Sequence, residues 1–245
     1  MNLRIANKGT TMHPMQRLCA LIAMMALAIG APAGAAPPKP APNWAATITR
    51  SADEGYVLGN PAAPLKLVAY VSFTCPHCAD FEAESDAQLR LGMIAPGKGS
   101  YEMRPFLRNV VDVAASLLAE CGPPARFFGN AQLLFATQQQ WVAPAANLTS
   151  AQKARWQSPD FATRMRAIAG DLGLYAIMER RGYDRVTLDR CLADKALADR
   201  LAKHTEEAGK RDFVTGTPTF LIDGVPLAGT YSWEVLRPQI EARLH

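Results

Sequence analysis

Histidine is scarce in this sequence. His13, His77, His204 and His245 are all that 245 residues contain, and none stands at a ligand spacing from another. A histidine-built metal centre therefore has little material. An excess of one charge is lacking too. The formal net charge is +4, but Arg4, Lys8 and Arg17 fall within the first 36 residues, which hold no acidic residue. Beyond residue 36 the balance is 23 basic to 22 acidic residues. No basic patch with interleaved aromatics occurs, so nucleic-acid binding has no support. Absent as well are a Gly-rich phosphate loop, a dinucleotide fingerprint and a fixed-period repeat. No apolar run reaches the roughly 20 residues that span a bilayer. With 49% hydrophobic and 20% charged residues, intrinsic disorder and a small disulfide-stapled scaffold are excluded.

What is present begins with an address. Arg17 precedes an apolar run over 18–29 and the small-residue stretch Ala31-Pro32-Ala33-Gly34-Ala35-Ala36. This is the pattern of a secretory signal peptide over 1–36, cleaved near Ala35-Ala36, with an uncleaved anchor as the alternative. Pro37-Pro38-Lys39-Pro40-Ala41-Pro42 then reads as a stiff extended spacer, part of a Pro/Ala-rich segment over 37–53. Export sets the redox context. Cys19 leaves with the signal, and Cys75, Cys78, Cys121 and Cys191 remain where disulfides persist.

Leu65 to Phe73 has the short apolar make-up of a strand, after Pro61 and Pro64. Cys75-Pro76-His77-Cys78 follows and the pattern turns helical, with Pro76 suited to a first helical position and Phe81, Ser85 and Leu89 at four-residue spacing. Tyr101 to Leu107 reads as a second strand, short or at an edge because of Pro105. Residues 109–211 are helical in period, with Val110, Val113, Leu117 and Leu118 as one apolar face. Thr219 to Ile222 and Val225 to Ala228 flank Asp223-Gly224, a hairpin turn signal. Ser232 is a candidate cap for a last helix, in which Pro238 predicts a kink or a late start. The order describes an α/β domain over 54–245, with a helical domain inserted between its second and third main strands.

The chemistry sits at Cys75 and Cys78. A Cys-x-x-Cys between strand and helix is a redox signal. The helix N-terminus favours a thiolate on the first cysteine, and one turn brings the second within disulfide reach. His77 adds a donor, and when protonated a positive charge, beside the Cys75 sulfur. Asp80, Glu82 and Glu84 read as a solvated helix face. A zinc half-site would need a second ligand pair, which Cys121 and Cys191 do not supply. Those two read as a structural disulfide, with two separate buried thiols as the alternative. The chemistry needs no cofactor and no metal.

Tyr56-Val57-Leu58-Gly59-Asn60-Pro61, Cys75-Pro76-His77-Cys78 and Gly216-Thr217-Pro218-Thr219-Phe220-Leu221-Ile222-Asp223-Gly224 together resemble the DsbA-like thiol:disulfide oxidoreductases of the thioredoxin fold. The resemblance runs from Tyr56 to the C-terminus and includes the position of the helical insertion. It implies a thioredoxin-like fold, a cis Pro218 facing the Cys75–Cys78 disulfide, and a Thr217 backbone that pairs with substrate. It also implies a periplasmic thiol:disulfide oxidase acting on reduced exported proteins, regenerated by a membrane quinone-linked oxidase of the DsbB type. Two departures stand out. Ala69 occupies the strand position where relatives often carry a buried acid, which leaves proton transfer at Cys78 to water or another group. Thr217 precedes the proline where well-known oxidases have valine, which keeps an isomerase or reductase as the alternative. The short stretch before residue 54 favours a monomer. A chaperone-like module that binds unfolded chains is the non-enzymatic reading, and it leaves an activated Cys75 unexplained.

Overall fold

In the computed structural model, which describes residues 42–244, the sheet grows from its most apolar strand. Leu65–Val71 (β3) buries every residue except Lys66, as expected of a strand covered on both faces. It pairs in parallel with Gly99–Pro105 (β4), Ala69 lying opposite Met103. Parallel neighbours require a crossover, and Pro76–Leu89 (α1) supplies it. Cys75 is the N-cap of α1 in extended conformation, with Pro76 at the first helical position. A π-helical turn, Arg90–Ile94, follows and tucks Met93 and Ile94 into the core.

Four more strands complete the sheet, in the order β1-β2-β4-β3-β5-β6. Tyr56–Gly59 (β2) pairs antiparallel with β4, and Ile48–Arg50 (β1) edges it. The sheet thus begins inside the stretch over 37–53 that the sequence reads as Pro/Ala-rich. On the other side Thr219–Ile222 (β5) runs antiparallel to β3, and Val225–Pro226 (β6) returns from it. Asp223 and Gly224 both take positive φ, 52° and 81°, at the turn their sequence signals.

Residues 110–211 form the helical insertion: Val110–Ala119 (α2), Phe127–Ala136 (α3), Gln138–Val142 (α4), Ser150–Trp156 (α5), Phe161–Asp171 (α6), Leu174–Glu179 (α7), Arg185–Leu192 (α8) and Lys195–Arg211 (α9). The fold is a mixed α/β, thioredoxin-like one with α2–α9 inserted between β4 and β5. One hydrophobic core runs from β3 and α1 into the insertion, through Phe73, Phe81, Phe127 and Trp141. Trp233–Glu241 (α10) closes it with Trp233, Leu236 and Ile240.

Several sequence expectations change. The strand at Tyr101 begins earlier, at Gly99, and is neither short nor at an edge, since β4 lies between β2 and β3. Pro105 is tolerated because it ends the strand beyond Tyr56, the last β2 residue paired on that side, and Phe106 resumes the ladder by donating to Val71 O. In α2, Leu117 and Leu118 are buried as expected and Val113 partly so, whereas Val110 is exposed and Val111, Ala114 and Ala115 join the buried face. The last helix starts at Trp233 with Pro238 inside it, and the Ser232 side chain makes no capping bond. The signal peptide over 1–36, the residues from Pro37 to Ala41, and Cys19, His13 and His245 lie outside the described residues.

Candidate active site

The antiparallel register decides what meets Cys75. β3 runs toward Cys75, and β5 starts at that same end, Tyr70 lying opposite Thr219. The Thr217–Pro218 peptide, cis in this structure, therefore lies against the start of α1. Cys75 Sγ donates to Thr217 O at 3.1 Å. Cys75 and Cys78 are in the dithiol form and both are buried.

The two thiols are electrostatically unequal. Cys75 is pulled down to about 4. The bond from the Cys78 thiol is the largest influence; burial opposes it, and Thr217, the Cys78 backbone N–H and the Arg108 charge add to it. Cys78 is pushed well above its ordinary value, first by burial and then by its bond to Cys75 and the Cys75 charge. Thr217 acts on both sides of the balance. Its carbonyl accepts from the Cys75 thiol and so favours the protonated form. Its hydroxyl, buried and without a formal hydrogen-bond partner, favours the thiolate of both cysteines.

His77 is exposed on the first turn of α1, and no hydrogen bond joins it to the Cys75 sulfur. Arg108, in the loop after β4, supplies the positive charge that acts on Cys75. The expectation of a solvated acidic face holds for Asp80 and Glu84 but fails for Glu82, which is 94% buried by its 6% exposure. The cause is helical spacing. Glu82 shares the inward face with Cys78, Phe81 and Ser85, and the Tyr101 hydroxyl donates to its carboxylate at 2.5 Å.

Two further side chains hold the Cys75 loop, and sequence reasoning missed both. Gln138 Nε2 donates to Phe73 O and to Cys75 O, each at 2.9 Å, from the start of α4. Asp112, fully buried in α2, accepts from Thr74 N and Ser72 Oγ at 2.9 Å and from Arg108 N at 3.0 Å. One carboxylate thereby ties the chain entering Cys75 to the loop that carries Arg108. Asn109 preceding Asp112 is a helix-start signal, and its side chain caps α2; nothing local in the sequence marks Gln138.

Cys121 and Cys191 do not join this site. They are bonded to each other within the insertion, 70 residues apart in sequence. Among the described residues no group of three or more His, Cys, Asp or Glu comes together in a way that could hold a metal ion, and no helix is long and apolar enough to cross a membrane.

The chain resembles known proteins in sequence and fold. The family model Thioredoxin_4, described as thioredoxin, matches residues 51–242. The crystal structure of a protein-disulfide isomerase from Novosphingobium aromaticivorans is 53% identical, covering 78% of this chain and 97% of that one with a TM-score of 0.75. Wolbachia pipientis alpha-DsbA1 shares the fold at 20% identity, with 77% and 89% of the two chains covered and a TM-score of 0.61. Among curated proteins, one from Rickettsia conorii, provisionally named a protein-disulfide oxidoreductase, is 25% identical over 193 residues, 78% of this chain. The chain spans 61% of the length of that relative.

Proposed function

The chain belongs to the DsbA-like Thioredoxin_4 family, and from that premise we propose that it is a thiol:disulfide oxidase of exported proteins. The observation that carries this reading is the inequality of the two thiols: Cys75 is held down to about 4 while Cys78 is pushed up. A stabilised Cys75 thiolate is a good leaving group and makes the Cys75–Cys78 disulfide an oxidant. In the proposed cycle a substrate thiolate attacks the Cys75 sulfur and forms a mixed disulfide, and Cys78 takes the departing electron pair. A second substrate thiolate then attacks the substrate sulfur of that mixed disulfide. The product leaves oxidised, and the enzyme keeps two thiols. Thr217, with its carbonyl beside Cys75, and Pro218 are the residues against which an extended substrate strand would lie. His77, exposed on the first turn of α1, would meet substrate as it approaches Cys75.

The reading places the protein in the periplasm, delivered by its N-terminal signal, with reduced exported proteins as substrates. A DsbB-type quinone-linked oxidase of the membrane would restore the disulfide. Cys121–Cys191 is assigned a structural role in the insertion. The test is oxidative refolding of a reduced dithiol protein. Cys75→Ser should abolish it, and unchanged activity would sink the assignment.

A second reading has two supports of its own. The 53% identical Novosphingobium protein is named a disulfide isomerase, and Thr217 stands before the cis proline. If rescue of a scrambled multi-disulfide protein proceeds as fast as dithiol oxidation, isomerisation takes first place.

A further inference from the structure

The strand order β4-β3-β5 puts Cys75 between two neighbours. β3 and β4 are parallel, so both end on the Cys75 side of the sheet, with Val71 opposite Pro105. The loop after β4, Phe106 to Asn109, therefore flanks Cys75 on one side. Thr217, leading into β5, flanks it on the other, with its carbonyl 3.1 Å from the Cys75 sulfur. Thr217 is thus the wall that an extended substrate would follow. The opposite wall carries Arg108.

Arg108 is fixed at its backbone and free at its head. Its N–H donates to Asp112 Oδ2 at 3.0 Å, and the other oxygen of that carboxylate accepts from Thr74 N at 2.9 Å. The next residue, Asn109, donates from Nδ2 to Thr74 Oγ1 at 3.0 Å, while its Oδ1 caps α2. The loop is thereby clamped onto Thr74, the neighbour of Cys75. The guanidinium takes no part in this clamp. Arg108 is exposed, and among the described residues no carboxylate pairs with it. Arg104 shows the contrast, held by Asp53 at 2.9 Å and by Glu102 at 2.8 Å. An unpaired arginine is ordinary on a protein surface; this one is singled out by its place. Behind the hydrogen bond from the Cys78 thiol, its charge is among the influences that hold the Cys75 thiol down, so it acts at that sulfur.

We propose that Arg108 is a specificity residue of the thiol–disulfide reaction, selecting substrates that carry a carboxylate next to the reacting cysteine. The inference rests on the oxidase reading above. A substrate strand laid along Thr217 presents its thiolate to Cys75, and an acidic side chain beside that thiolate meets Arg108 on the far flank. The thiolate attacks the Cys75 sulfur. The new S–S bond forms as the Cys75–Cys78 bond breaks, and the electron pair of the broken bond leaves on Cys78. Arg108 is unchanged in this step: it favours the encounter in which an acidic segment is aligned and opposes a basic one. A charge pair at such an exposed rim is worth about threefold in rate at low salt, and added salt screens it.

The test uses the disulfide form of the full protein and three synthetic dithiol peptides that differ only in carrying Glu, Gln or Lys beside each cysteine. Acid quenching and chromatography give the rate at which each peptide is oxidised. Each rate is divided by that of the same peptide with the disulfide of 2-mercaptoethanol, which removes differences in intrinsic thiol reactivity. At low salt the wild type should oxidise the Glu peptide about threefold faster than the Gln peptide, and the Lys peptide about threefold slower. Arg108→Gln should bring the three rates together, Arg108→Glu should invert their order, and Arg108→Lys should preserve it. High salt should flatten the wild-type preference. Comparing peptides cancels any change in the reactivity of Cys75 itself, which all three share. The clamp is made by the Arg108 backbone, so these exposed substitutions leave it in place. Equal rates for the three peptides in the wild type overturn the proposal and leave the oxidase reading standing. A preference that survives in Arg108→Gln also overturns it, and would belong to His77 or to the N-terminus of α1. If none of the peptides is oxidised, the oxidase reading fails and the proposal falls with it.

Discussion

Titrating the two redox forms of the protein from pH 4 to pH 8 tests the central electrostatic claim. The Cys75 thiol is held at about 4 against an ordinary 9.0. A depressed folded value contributes stability that is complete above the unfolded value near 9 and is lost as pH falls through 4. At pH 7 about three units separate the folded group from the solution pH. At about 1.4 kcal/mol each, that is at most about 4 kcal/mol in favour of the folded dithiol. Solvent screening at the mouth of the site cuts this to about 2–4 kcal/mol. The competing effect is the cross-link. Closing a loop of about four residues stabilises the folded disulfide form by about 2 kcal/mol in the chain-entropy model. The dithiol form should therefore match or exceed the disulfide form at pH 7, and fall below it by about pH 5. Urea unfolding of both forms in the Cys121→Ala/Cys191→Ala background, where no second disulfide can exchange, reads the difference directly. A disulfide form whose advantage grows with rising pH would refute the reasoning, and so would a difference that stays flat.

Three further outcomes follow from particular contacts. Gln138→Leu leaves the buried Phe73 O without a donor, while Cys75 O keeps the Cys78 and Ala79 N–H groups, and urea unfolding should show a loss of about 1–3 kcal/mol, with the thiolate absorbance of Cys75 titrating at a changed pH. Thr217→Val removes a buried hydroxyl that favours the thiolate, so the Cys75 titration, followed by the same absorbance, should move up in pH. Cys121→Ala with Cys191→Ala opens a loop of 70 residues and should cost about 4 kcal/mol in the same unfolding measurement; full retention of stability would mean that the bond constrains nothing.

What could be read in the sequence was local. The Cys75-Pro76-His77-Cys78 turn, the Asp223-Gly224 hairpin and the bounds of the helical block each depend on neighbours within a few residues, and each appears in the structure. The losses have a common cause. Glu82 looks like a surface residue by type, and only the Tyr101 hydroxyl, 19 residues away, makes its burial tolerable. Gln138 meets Cys75 across 63 residues and Asp112 meets Thr74 across 38, and no spacing rule reaches that far. His77 adjoins Cys75 in sequence, and its side chain is exposed on the first turn of α1. The sequence leaves Cys121 and Cys191 open between a bond and two thiols, because pairing depends on how α2 and α8 pack.

These long-range contacts bear on what the insertion is for. β3, α1 and β5 alone would place Cys75 against Thr217, since the register of two strands and one crossover suffices. They would not satisfy the loop they create. The carbonyls of Phe73 and Cys75 find a side-chain donor in Gln138, and the N–H groups of Thr74 and Arg108 find an acceptor in Asp112. Both partners belong to the inserted helices. Cys75 O also accepts from the Cys78 and Ala79 N–H groups, and the Thr74 N–H also donates to Ser72 Oγ, but Phe73 O has Gln138 alone; a buried polar group left unpaired costs about 1–3 kcal/mol of a stability of about 5–15 kcal/mol. On this argument the insertion is part of the redox site, because it pairs the backbone polar groups around Cys75.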